Sequence, residues 1–233
     1  MKNVLLVMVT LLPFLSYAQT LKNSGSPATV VELFTSEGCS SCPPAEHALN
    51  QLKHADELWK TVIPLAFHVD YWNYIGWEDR FASPQYSQRQ RDKVSLGQAS
   101  GVYTPGWFIN DQEWRGFFSR HAVPYAQGPK APTLEAEINQ TTLRVHYDGN
   151  QLVRANMALL AMDLETQVKR GENRGRTLEH DFVVVDFSTK IGRQSWTFPL
   201  SQHTTAPASA IAVWLSPIDG GDPIQTVAGW IEK

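Results

Sequence analysis

Of the 233 residues only two are cysteine, Cys39 and Cys42. That excludes a disulfide-stapled scaffold and a four-thiolate zinc site, so the two must be read as one pair. Positive charge is not in surplus either. With 20 Lys and Arg against 23 Asp and Glu the formal net charge is −3, and the basic excess that drives nucleic-acid binding is missing. Beyond the first segment no apolar run reaches the roughly 20 residues of a membrane span. Internal repeats and low-complexity tracts are also lacking. Gly171–Arg176 (GENRGR) lacks the lysine of a phosphate loop and reads as a long hairpin turn, with an arginine free to contact the first half of the chain. What remains is 42% hydrophobic and 11% aromatic, too apolar for a disordered chain.

Met1–Ala18 has the three parts of a secretory signal peptide: the cation Lys2, the apolar run Val4–Leu15, and the small-residue pattern Ser16-Tyr17-Ala18. The reading is an exported protein, periplasmic or extracellular, in an oxidising space where cysteines pair. No membrane attachment follows from the sequence once that leader is removed.

Ala28–Phe34 is apolar and β-branched, as in a buried strand, and ends at the turn Thr35-Ser36-Glu37-Gly38 before the cysteine pair. Ala45, Ala48, Leu49 and Leu52 then form the stripe of an amphipathic helix. Because Pro43 and Pro44 lack backbone N–H groups, regular helix is expected to start there, leaving the cysteines in the preceding turn. Thr61–Val69 returns to strand, with Pro64 favouring its beginning or a sheet edge. Ser83-Pro84 reads as an N-cap and first helical residue of a polar helix running to about Ala99. A hairpin is expected around Asn110-Asp111-Gln112, then a closing helix over Phe118–Ala126.

Gly128–Pro132 reads as a linker, and the pattern changes after it. Leu134, Ala136 and Ile138 alternate with polar residues, as do Leu143, Val145 and Tyr147, and further strand-like runs cover Val153–Leu164, Leu178–Phe187 and Ala210–Leu215. The expected organisation is a leader over 1–18 and a first domain over 28–127 with a helical insertion at about 70–100. The linker at 128–132 and a β-rich, sandwich-like domain over 133–233 complete it.

A Cys-x-x-Cys between a buried strand and a helix is a redox arrangement. Near a helix N-terminus the first thiol, Cys39, is favoured as a thiolate and attacks a disulfide. Two residues on, Cys42 can resolve the mixed disulfide. Strand, pair, helix, strand and a later Thr104-Pro105 before a hairpin follow the order of a thioredoxin fold, in which such a proline is cis and lies beside the cysteines to bind substrate backbone. This reading needs both sulfurs at a solvent-reachable corner near Thr104-Pro105. Glu32, inside an apolar strand, and Asp70, after the next strand, are candidate proton acceptors for Cys42, against a salt-bridged structural role. Trp72 and Trp77, with Tyr74, are candidates for lining a peptide groove, against core packing.

The runs VVELFTSEGCSSCPPAEHAL and FHVDYWNYIGWEDRFASPQYSQRQR, with VYTP and GENRGRTL, resemble the bacterial secreted proteins grouped as domain of unknown function 1223. The resemblance covers about Ala28 to the C-terminus. It implies an α/β thioredoxin-like domain followed by an all-β region, and it names no reaction. Ser40-Ser41 stands where thioredoxins carry Gly-Pro.

The functional expectation is an exported thiol–disulfide oxidoreductase acting on protein or small-molecule thiols and disulfides with a redox partner protein. No cofactor and no resident metal are called for. The alternative is a non-catalytic binding protein or a Cu(I) carrier, with His47 or His68 as third ligand beside the two thiolates.

Overall fold

The computed structural model describes residues 18–126, 128–201 and 203–232, so all of the expected leader except Ala18 lies outside the described residues. In chain order the strands of the first half are β1 (Gln19–Asn23), β2 (Thr29–Thr35), β3 (Val62–His68), β4 (Gly106–Ile109) and β5 (Gln112–Glu113). Two α-helices, α1 (Pro43–Asn50) and α2 (Pro84–Ser95), and three short 3-10 helices interrupt them. The second half carries β6 (Leu134–Ile138), β7 (Thr142–Tyr147), β8 (Val153–Ala161), β9 (Leu164–Gln167) and β10 (Thr177–His180). It ends with β11 (Val183–Gly192), β12 (Ser195–Pro199), β13 (Ala210–Ser216) and β14 (Gln225–Trp230).

These strands form one eight-stranded mixed sheet in the order β14-β13-β8-β11-β3-β2-β4-β5, a four-stranded sheet β1-β6-β7-β12, and the hairpin β9-β10. Only the β2–β3 and β3–β11 pairings in the large sheet are parallel.

This overturns the expected fold class. About 39% of the described residues are in strands and 16% in helices, and the protein is not an α/β thioredoxin fold followed by a separate all-β region. The reason is packing. One apolar layer runs from Phe34 of β2 and Phe67 of β3 through Phe187 of β11 to Ala212 and Trp214 of β13, so strands from both halves share a core. On the other face of β13, Ile211, Val213 and Leu215 meet Leu134, Leu143 and Val145 of the four-stranded sheet. With both faces covered, β13 is buried at every position and reads as a continuous apolar run.

Local details follow from residue chemistry. Pro64 lies inside β3 rather than at its end. Ala66 N–H reaches β11 through the Phe182 carbonyl, and the only β3–β11 pair is Val183 with Ala66. Pro64, two residues earlier, points its missing donor where β11 does not pair. The Ser83 side chain accepts from Gln85 N–H with Pro84 opening α2, as an N-cap should, but the helix stops at Ser95. Asn110 and Asp111 both have positive φ, 49° and 68°, as a two-residue hairpin between β4 and β5 demands. The expected closing helix is reduced to one 3-10 turn, Gly116–Ser119.

Candidate functional site

β2 delivers the chain to the turn that holds the cysteines. Cys39 N–H donates to the Ser36 carbonyl at 3.0 Å and Cys42 N–H to the Cys39 carbonyl at 3.2 Å, so the pair is folded back on itself. Cys39 and Cys42 are disulfide-bonded, their Cα atoms 5.4 Å apart. Cys42 is the N-cap of α1, which starts at Pro43. The prolines bring no N–H, and the amides of Ala45 and Glu46 both bond to the Cys42 carbonyl. The helix therefore leaves the sulfurs its axial dipole but no free amide.

The expected solvent-reachable corner is only half present. Ser40 and Ser41 are exposed, whereas Cys39 is 1% and Cys42 0% accessible. Ser41 Oγ lies 3.4 Å from Cys39 Sγ, and the backbone of the turn is held from elsewhere in the chain. The β9–β10 connection lays Asn173 over the turn, its Nδ2 donating to the carbonyls of Glu37 at 2.8 Å and Cys39 at 3.0 Å. Glu172 accepts from Ser40 N–H at 3.3 Å. Contact between this connection and the cysteine turn thus uses Glu172 and Asn173. Gly171, at φ +71°, brings the loop so close that a Cβ would stand 3.2 Å from that of Trp77.

The Thr104–Pro105 peptide is cis. Gly106 directly after it pairs with Phe34, which places the bend next to the end of β2. Trp72 spans the gap. Its indole N–H donates to Thr104 Oγ1 at 2.7 Å, and its Cβ would lie 3.1 Å from a Cβ added at Gly38. Trp77 donates to Glu37 Oε2 at 2.7 Å. Both indoles therefore brace the turn, while Tyr74 is 82% exposed.

Beneath the turn lies a buried polar cluster. His68, the last residue of β3, meets Asp79 through Nδ1 at 2.7 Å, and Asp79 accepts from the amides of Glu37 and Phe81. His180, the last residue of β10, meets Glu46 of α1 through Nδ1 at 2.6 Å. Its Nε2 lies 3.2 Å from Glu37 Oε1, too poorly aligned for a hydrogen bond. Thr35 Oγ1 donates to the second oxygen of Glu46.

Burial disfavours the His180 cation, but the Glu46 and Glu37 carboxylates outweigh it and push the imidazole up to about 10. His68 is likewise raised, burial being overcome by Asp79. Burial works against the Glu46 and Asp79 carboxylates too, and their histidine partners hold both below the usual carboxylate range. Glu46, His68 and His180 present ligand-type atoms within 4.8 Å of one another, and no cysteine belongs to that group.

Residues 30–216 match the family described as "Protein of unknown function (DUF1223)". The chain belongs to that family. Among solved structures, this DUF1223 protein is similar to protein AGR_C_4864 from Agrobacterium tumefaciens, with 27% identity, 88% of this chain and 94% of that chain covered, and a TM-score of 0.59. It also shares its fold with HBP35 of Porphyromonas gingivalis, at 12% identity, 89% and 76% coverage, and a TM-score of 0.56. No curated protein matches.

Two candidates do not come to the cysteines of the DUF1223 chain. Glu32 faces α2, since side chains alternate along β2 and its neighbours Val31 and Leu33 take the α1 face. There its carboxylate is held by both arms of Arg89, at 2.7 and 2.9 Å, and by Lys93 at 3.2 Å. Asp70 is occupied by Ser87, whose hydroxyl donates to Oδ1. The carboxylates bonded to the turn are Asp79 and Glu172, which accept from the Glu37 and Ser40 amides, while Glu37 belongs to the turn itself and Glu46 holds Thr35 just before it. Glu46 is legible in retrospect, four residues after Cys42 on the same helix face. His68 stands out as a polar residue ending a fully buried apolar strand. His180 gave no local signal, and Asn173 lies in the Gly171–Arg176 turn, where the contact was expected from an arginine instead.

Proposed function

We propose that the protein is an exported thiol–disulfide exchange protein working through Cys39 and Cys42, with protein or small-molecule disulfides as substrates. The observation that carries this reading is the disulfide itself. It joins cysteines only three positions apart, directly before α1 and beneath exposed Ser40 and Ser41. A cross-link over so short a loop adds little to stability, which speaks for chemistry over stapling.

In the reduced protein the Cys39 thiolate attacks one sulfur of a substrate disulfide, and the other substrate sulfur leaves as a thiolate that takes a proton from water. Cys42, having lost its proton, attacks Cys39 Sγ and expels the first substrate sulfur, re-forming the Cys39–Cys42 bond. The substrate gains two electrons and two protons, and a thiol reductant or redox partner protein restores the dithiol. The same steps reversed oxidise a substrate dithiol. Access requires the Glu172–Asn173 contacts to lift. Thr104 and Pro105, beside the end of β2, and the braced Trp72 and Trp77 are the surface on which substrate backbone would lie.

Redox titration of the purified chain tests this. Glutathione or dithiothreitol should cycle the pair, Cys42→Ser should trap a mixed disulfide on Cys39, and Cys39→Ser should trap none. The reading fails if the pair cannot be cycled, or if both variants reduce insulin at the wild-type rate.

A further inference from the structure

We propose that Glu46, His68 and His180 form a binding site for one divalent first-row transition-metal ion, zinc above all, in the layer between α1 and the ends of β2 and β3. The site goes beyond the exchange reaction and contains neither cysteine.

The three side chains come from α1, β3 and β10, and all are buried, at 5%, 0% and 2% accessibility. Their ligand-type atoms lie within 4.8 Å of one another. An ion with bonds of about 2.0–2.1 Å sets tetrahedral neighbours roughly 3.3 Å apart, so closing on it takes side-chain shifts on the order of 1 Å. His68 Nε2 is the decisive atom. It is buried and makes no hydrogen bond, while its Nδ1 is fixed by Asp79. A buried polar nitrogen without a partner is costly, and a Lewis acid would satisfy it.

The surroundings are those of ligands held from behind. Metal-binding histidines commonly give their second nitrogen to a carboxylate. Asp79 does this for His68, and Glu37, 3.2 Å from His180 Nε2, stands ready to do it for His180 while Trp77 holds its other oxygen. Thr35 grips the oxygen of Glu46 that His180 does not use. Charge points the same way. Among the described residues the only ion-pair partners of Glu37, Glu46 and Asp79 are the two imidazoles, so neutral rings would leave three buried carboxylates without a cation. Two imidazoles and one carboxylate suit zinc and its neighbours, not the all-oxygen preference of calcium or magnesium.

The test uses the purified, untagged chain after chelator treatment, titrated with Zn²⁺ by calorimetry and with Co²⁺ by visible absorption. One equivalent should bind, and Co²⁺ should show ligand-field bands without thiolate charge transfer. His68→Gln and His180→Gln should each weaken binding at least about 100-fold, and Asp79→Asn about 10- to 100-fold. The Cys39→Ser/Cys42→Ser protein should bind as the wild type does, so loss of exchange activity leaves this result untouched. No stoichiometric binding to the wild type overturns the site, a readout that needs no variant to fold. So does binding that survives both histidine substitutions or that arises only after the disulfide is reduced.

Discussion

Asn173 Nδ2 stands 3.0 Å from the carbonyl oxygen of Cys39, a donor arriving from 134 residues further along the chain. With the bond from the same nitrogen to the Glu37 carbonyl at 2.8 Å, it ties the second half of the protein to the backbone of the cysteine turn.

Asn173→Ala should therefore open the disulfide. Losing two hydrogen bonds worth about 1 kcal/mol each lowers the cost of lifting the loop. Reduction by dithiothreitol, followed by thiol release, should accelerate roughly tenfold or more. An unchanged rate would show that the loop does not control access.

The disulfide should matter little for folding. For a loop this short the chain-entropy relation gives about 2 kcal/mol at most. Urea unfolding of Cys39→Ser/Cys42→Ser should show a loss of that order. A loss above about 4 kcal/mol would return the pair to a structural role.

Glu32 should prove structural. Its carboxylate is 1% accessible and faces Arg89 and Lys93, and breaking a buried pair from one side costs about 3–5 kcal/mol. Glu32→Gln should lower the urea midpoint accordingly while the rate of disulfide reduction stays within about twofold. A large fall in that rate, in protein that is still folded, would restore Glu32 as a partner of the cysteines.

Asp111 should show itself in acid. Burial pushes its carboxyl up, but the charges of Lys93 and Arg89, a hydrogen bond from Lys93 and the Gly221 amide hold it below the usual range. A depressed carboxyl contributes stability above its unfolded value near 3.8, and that contribution is lost as pH falls through the lower folded value. Asp111→Asn should be clearly less stable than wild type at pH 7, with the gap narrowing below about pH 4. Urea midpoints at the two pH values decide it, and a gap of constant size would contradict the assignment.

Much of the local structure could be read from residue order. The strand before the cysteines, the start of α1 at Pro43, the Ser83 cap and the alternation of β6 and β7 all arise from contacts within a few positions. Phe182 marks where such reading stops. The apolar run Leu178–Phe187 looks like one strand, yet Phe182 takes a positive φ of 59° and splits it into β10 and β11. One piece joins a hairpin whose end supplies His180, and the other enters the large sheet beside β3.

By itself the amino-acid order determined the family, the paired cysteines and the turn that holds them, because each depends on neighbours along the chain. Tertiary structure alone decided that β8, β11 and β13 extend the sheet begun by β2 and β3, and that Asn173 and His180 return to the cysteine turn. Strand pairing is made between backbones far apart in sequence, and an apolar run buried on both faces carries no mark of which neighbour it will take.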